Sequence, residues 1–191
     1  MFRDLVRANR SYRRFAQSEV IFENALRSLV DLARQTASAA NLQPLKYILS
    51  CTPKQNERVF STLSWAGYLA DWECPRDGER PAAYIVMLGD TRLNKNPGCD
   101  SGIAAQTILL GAVEQGLGGC IFGSIDRDKL RDSLSIEDYL DILLVIALGK
   151  PVEKVVLEEV SAGGDIRYYR DGDAVHHVPK RALEDIIVET K

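Results

Sequence analysis

The chain has 191 residues with a formal net charge of −3, and 46% of its residues are hydrophobic and 27% charged. That length and balance fit one globular domain with its own core. The acidic balance argues against a nucleic-acid-binding domain, which is ordinarily basic, and no apolar run reaches the roughly 18 residues a membrane span requires. The opening "MFRDLV" lacks the apolar stretch of an export signal, so a cytoplasmic protein is expected.

In chain order, residues 2 to 9 read as a short helix. Ser18 to Ala37 read as a longer one, with Ser18 as N-cap and Phe22, Leu26, Leu29, Val30 and Ala33 on one face. A loop of small residues, "SAANLQP", precedes the strand "LKYILSC", which "TP" stops. "KQNERVFSTLSWAGYLA" reads as helical as far as Gly67. After the turn-rich "CPRDGERP", the run "AAYIVMLG" is apolar enough for a strand buried on both faces. Asp100 or Ser101 opens a long helix of small residues that ends at Gly116. "GLGGCIFGS" reads as glycine-punctuated and irregular, and "DRDKLRDSL" as a short surface helix. "YLDILLVIALG" is the strongest strand signal in the chain. "RYYRDGDAVHHV" suggests a hairpin about Asp171–Gly172, and "KRALEDIIVE" closes as a helix or an arm. Strands and helices mix without a βαβ repeat, so the expected class is α+β.

Several chemistries fail on spacing. From Gly116 a dinucleotide fingerprint needs glycine at 116, 118 and 121, but position 121 is isoleucine, and the stretch follows a helix. No Walker A, G-x-S-x-G or HExxH pattern occurs. Cys51, Cys74, Cys99 and Cys120 form no CxxC pair, and only His176 and His177 could join them, so no metal site is expected and the thiols read as reduced. The two adjacent histidines fall on opposite faces of a strand and read as surface or satisfied groups.

Five arginines fall within the first fourteen residues. Arg3, Arg7, Arg10 and Arg14 share one helical stripe, which is either a solvated basic face or a clamp for an anion.

Three segments together resemble the nitroreductase family. "NRSYRRF" (9–15) is similar to its opening arginine–serine–x–arginine signature, and "SAANLQPLKYIL" (38–49) to its PSxxNxQPW loop and the strand that follows. "DSGIAAQTILLGAVEQGLGGCIFGS" (100–124) resembles its dimer-core helix and flavin-facing loop. The resemblance implies an α+β sandwich, a mainly antiparallel sheet flanked by helices, built as one FMN-binding domain over 1–191. It also implies an intertwined homodimer with FMN sites at the interface. The implied activity is ping-pong hydride transfer from NAD(P)H through FMN to a nitroaromatic, quinone or similar small acceptor. No side chain is assigned as catalytic, since the chemistry belongs to the flavin N5. A family offshoot with another electron donor or dehalogenating chemistry, and a flavin-binding protein without turnover, are the alternatives.

The resemblance also distributes roles. Arg10 and Ser11 are expected to hold the phosphate and ribityl chain, and Arg13 to stand beside the N1/O2 edge of the ring. Ser38 and Asn41 fall in the loop that reaches the flavin of the partner subunit. Ile121 and Phe122 would lie against the ring, with Gly123 and Ser124 offering backbone N–H groups. Lys180 and Arg181 sit where the family keeps a second phosphate-binding pair. Three departures stand out: Asn9 replaces a second basic residue, Ala37 the leading proline, and Leu45 the tryptophan after Gln-Pro. Arg3, Arg7 and Arg14 are left as an ordinary helix stripe.

Overall fold

Apolar runs bounded by turn residues become the sheet of the first unit. The computed structural model describes residues 1–190. The chain divides into two compact units, one formed by 1–64 and 75–152, the other by 65–74 and the chain from Glu153 onward.

The first unit holds α1 (Phe2–Ala8), α2 (Glu23–Ala33), β1 (Leu45–Ser50), α3 (Pro53–Phe60), β2 (Ala83–Asp90), α4 (Asp100–Glu114), β3 (Gly118–Phe122), α5 (Arg127–Leu134) and β4 (Leu140–Gly149). Its sheet runs β1-β2-β4-β3, antiparallel at every pairing. Every residue of β2 is buried, as its unbroken apolar run anticipates. Ala83, Ile85 and Met87 face one way and share a core with Leu26 and Leu29 of α2 and Ala104, Ala105, Ile108 and Ala112 of α4. Small residues let α4 lie close to α2: a Cβ on Gly111 would fall 2.7 Å from Leu32.

Four boundaries differ from the sequence reading, each because backbone pairing outweighs local propensity. The second helix starts at Glu23, with Phe22 rather than Ser18 before it. Residues 16–19 turn instead, and the Gln17 N–H donates to the Gly78 carbonyl, which ties that turn to the 78–80 segment. The third helix, capped by Thr52 with Pro53 in its first turn, stops at Phe60 rather than Gly67. Beyond it, Leu63 bridges Ile125, and Ser64 and Asp126 exchange hydrogen bonds with Ser124 and Thr62.

The glycine-punctuated stretch is a strand, not an irregular loop. A Cβ on Gly119 would lie 2.5 Å from the Ala147 carbonyl, so glycine is what allows β3 to approach β4. Finally, α1 ends at Ala8, so Arg10 and Arg14 leave the helical stripe.

The second unit holds β5 (Val155–Val160), unassigned in the sequence reading, with β6 (Tyr169–Arg170) and β7 (His176–Arg181), in the order β5-β7-β6. β5 and β7 are parallel, and β6 and β7 form the antiparallel hairpin expected around Asp171–Gly172. Trp65 is buried, whereas Tyr68 is exposed with its ring 4.9 Å from that of Tyr168. His176 is buried, and His177 stacks on Tyr169. The His177 ring nitrogens face Asp171 and Glu158, and these carboxylates, Asp171 first, raise its pKa above 6.5. The stability this charge adds is complete below 6.5 and lost as pH rises through the raised value. Leu183–Asp185 form a 3-10 turn, and no helix among the described residues is long and apolar enough to cross a membrane.

Candidate flavin site

The arginine segment is held as an extended strip beside β3. After α1 ends, Ser11 forms a parallel bridge with Gly119, and the Tyr12 N–H donates to the Gly119 carbonyl at 3.0 Å. The Tyr12 ring lies over Gly118, where a Cβ would meet it at 2.5 Å. Arg10 donates from Nη2 to the Val6 carbonyl at 2.6 Å, and its Nε is buried without a hydrogen-bond partner. Arg13 donates from Nη1 to the Ser11 carbonyl at 3.3 Å.

Arg14 is not part of a solvated stripe. It makes a two-pronged pair with Glu79, Nε to Oε2 and Nη2 to Oε1, each at 2.8 Å. Neighbouring backbone reinforces the clamp, since the Phe15 N–H donates to the Glu79 carbonyl and the buried Phe15 ring packs under Gly149. Hydrogen bonding from Arg14 pulls the Glu79 pKa from 4.5 down to about 2 against the opposing effect of burial, with Arg76 adding to the pull. The lowered value fixes the sign: the clamp stabilises the fold fully above 4.5 and is lost as pH falls through about 2. Glu79→Gln is therefore expected to cost about 1–2 kcal/mol at pH 7, a figure reduced for solvent screening. Urea denaturation of the two proteins at several pH values should show the difference shrinking as pH approaches 2. A difference that grew with acid would contradict the clamp.

Along β3, Ile121 is 38% exposed and Phe122 is buried. Gly119 and Ile121 share one face of the strand. Past its end, a Cβ on Gly123 would meet nothing within 4 Å. The Gly123 carbonyl accepts from Arg127 Nη2 at 3.3 Å, so across a trans peptide the Ser124 N–H is turned to the opposite side.

Ser38 and Asn41 lie in a different place. The Ser38 hydroxyl donates to Asp100 Oδ2 at 2.6 Å and accepts from the Gln43 N–H, while Ala39 N–H donates to Asp100 Oδ1. Asp100 is the first residue of α4 and is 2% exposed. Ala40, Asn41 and Gln43 adopt left-handed backbone angles (φ 50°, 56° and 50°), a costly arrangement for non-glycine residues that the Asp100 contacts hold in place. Asn41 is exposed.

Strand register separates the two groups. Ser11 lies beside Gly119, which pairs with Leu148, whereas the loop leads into Leu45, which is level with Gly89 and Asp141. Those levels are seven residue steps apart along β4, from Asp141 to Leu148, about 23 Å at ~3.3 Å per residue. Register therefore places Ser11 at the Leu148 level and the 38–43 loop before the Asp141 level, with Ile121 and Phe122 between them, opposite Ile146 and Val145. Lys180 and Arg181 are the last two residues of β7 in the second unit, exposed and level with Glu159 and Val160. Asp100, Arg14 and Glu79 escape sequence reasoning because their partners lie 61 or more residues away. Among the described residues, no three His, Cys, Asp or Glu side chains cluster as metal ligands would.

The first unit joins an antiparallel sheet to helices, an α+β arrangement, and residues 6–150 match the model of the nitroreductase family. The chain belongs to the nitroreductase family. Solved structures agree on the fold. A nitroreductase family protein of Streptococcus pneumoniae TIGR4 superposes over 100% of both chains with a TM-score of 0.72 at 17% identity. A protein of Parabacteroides distasonis described as an NADH dehydrogenase/NAD(P)H nitroreductase is 22% identical, with 80% of this chain and 88% of that one covered at a TM-score of 0.67. A protein of Exiguobacterium sibiricum 255-15, assigned as a nitroreductase and solved in complex with FMN, is 16% identical, with 80% and 89% covered at a TM-score of 0.66.

Proposed function

We propose that this chain is an FMN-dependent oxidoreductase that works as a homodimer. The observation that carries the reading is the arrangement at the start of β3. Arg10, whose buried Nε has no hydrogen-bond partner, adjoins Ser11 beside Gly119, and Ile121 is exposed further along the same face. An orphaned guanidinium donor next to a hydroxyl suits a phosphomonoester, and an exposed isoleucine suits one face of a planar ring. Family membership and the FMN complex of a structural neighbour support the same cofactor. NAD(P)H as donor is supported by the name of another neighbour.

Bound FMN would supply reversible hydride chemistry between NAD(P)H and a nitroaromatic, quinone or similar acceptor. The chain's own part is binding and orientation. Arg10 and Ser11 hold the phosphate and ribityl chain, Arg13 adds positive charge at the ring edge, and Ile121 and Phe122 give the apolar wall. Gly123 leaves room, and the outward Ser124 N–H is the donor suited to a ring nitrogen.

One chain supplies only half of this site, because the loop carrying Asn41 enters the sheet at Leu45, about 23 Å along it from the level of Ser11. A second copy would bring its own 38–43 loop across. Exposed apolar groups agree with such a contact: α1 buries no residue, with Phe2 68% and Val6 38% exposed, and Ile103 of α4 is 39% exposed.

The test is anaerobic addition of NADH or NADPH to the purified yellow protein, with its mass measured by light scattering. Rapid bleaching of a dimer is expected. Bound flavin that neither nucleotide bleaches would leave a flavin-binding protein without this turnover. A colourless protein that does not rebind FMN would overturn the reading altogether.

A further inference from the structure

β3 stops at Phe122, opposite Val145, while β4 extends on that side as far as Leu140. The pairing of β4 with β2 skips Leu143, since Met87 is level with Leu144 and Leu88 with Ile142. Leu143 is thus the extra residue of a bulge, a feature often found beside active sites, where it ends pairing or re-aims the chain. Carbonyls of β4 beyond the last β3 pair need another donor.

Arg127, the first residue of α5, supplies it. Its Nε donates to the Ile142 carbonyl at 3.0 Å, and its Nη2 donates to the Leu143 carbonyl at 3.5 Å and to the Gly123 carbonyl at 3.3 Å. One guanidinium therefore spans the place where the ladder ends. It holds the departing strand by the carbonyl of the first residue past β3. A planar fork of fixed donors is what lets one side chain fasten carbonyls from two segments.

The next residues are tied down as well. The Ser124 carbonyl accepts from the Ser64 N–H at 3.1 Å, Leu63 bridges Ile125, and Asp126 caps α5 by accepting from the Lys129 N–H at 3.1 Å. The carbonyls of Gly123 and Ser124 are thus both engaged. Their N–H groups donate to nothing among the described residues, and both residues are exposed. The Gly123–Ser124 peptide is trans, so fastening its carbonyl to Arg127 sets the direction of the Ser124 N–H. Glycine is the residue least able to hold that direction alone, because its backbone is the freest to turn.

We propose that Arg127 is a positioning residue for the flavin: by holding the Gly123 carbonyl it keeps the Ser124 N–H aimed at the ring. The inference rests on the flavin site proposed above. Arg127 itself touches neither cofactor nor substrate and acts through one peptide group.

Amide hydrogen exchange followed by NMR, in the apoprotein and with saturating FMN, tests this. In the wild type FMN should slow exchange at Ser124 by about tenfold, as one added hydrogen bond would. Arg127→Met removes the donors and should lose most of that slowing, while FMN affinity changes less than about threefold because the phosphate grip lies elsewhere. Arg127→Lys, which keeps the charge without the fork, should fall between the two. An arginine serving the fold alone would lower the Tm of Arg127→Met and leave the slowing at Ser124 intact. That result would overturn the proposal and leave the flavin site standing. Should Arg127→Met fail to fold, full slowing at Ser124 in Arg127→Lys would overturn it equally. FMN that binds the wild type and perturbs the amides of 10–13, yet leaves Ser124 exchange unchanged, would refute the aim of this N–H. FMN that perturbs neither 10–13 nor 121–124 would remove the flavin site and the proposal together.

Discussion

Arg10→Ala is expected to weaken FMN binding about 10- to 100-fold while leaving the oligomeric state unchanged. The range follows from the ~1.5–3 kcal/mol of a hydrogen bond to a charged group, at about 1.4 kcal/mol per tenfold. The fold loses little, because the Arg10 side chain donates to an exposed turn of α1, at the Val6 carbonyl, and its backbone bond with the Tyr12 N–H survives the substitution. Arg10→Lys keeps the charge but not the planar fork, so it should fall between wild type and alanine. Flavin fluorescence titration of the apoprotein measures all three. Unchanged affinity in Arg10→Ala would remove the phosphate from this end of the sheet.

Asp100→Ala should lower stability by about 2–4 kcal/mol, from the loss of two hydrogen bonds to a buried carboxylate. For a chain of this size that is a fall in Tm of roughly 5–10 °C. Asp100 is 2% exposed, and its carboxylate receives both the Ser38 hydroxyl and the Ala39 N–H at the first residue of α4. Its removal orphans two groups and takes an acid from a helix N-terminus, where negative charge is favoured. The loop then relaxes out of its left-handed angles at Ala40, Asn41 and Gln43. Flavin retention should therefore drop as well, although Asp100 is not among the residues expected to touch the flavin. Asp100→Asn keeps an acceptor for Ala39 but not the charge, and about half the loss is expected by the same reasoning. Calorimetry and urea melts decide the point; a variant as stable as wild type would show that the loop holds itself.

Much of this was legible in the sequence where burial writes a pattern. β2 and β4 announce themselves as unbroken apolar runs, and α4 as a stretch of small residues between Asp100 and Gly116. The motif segments could also be named beforehand, although only three-dimensional register shows that Ser11 and the 38–43 loop lie far apart along the sheet. What stayed hidden depends on distant partners. Gly118 and Gly119 read as loop because glycine disfavours strands, yet their missing side chains are what let β3 close on β4. Arg14 looked like part of a helix face because nothing local points to Glu79, 65 residues on. The ties of the Ser38 hydroxyl to Asp100 and Gln43 were equally hidden, because Asp100 lies 62 residues on.

The strip carrying Arg10 to Arg13 has one more effect. β3 is an outer strand of its sheet, with β4 on one side only. An outer strand with the sequence "GGCIF" is a template on which another chain could add. The strip lies along it but bridges it only at Ser11, too short a stretch to extend the sheet, and it is crowded with positive charge. The residues proposed to grip a phosphate thus also protect the protein against aggregation through that edge.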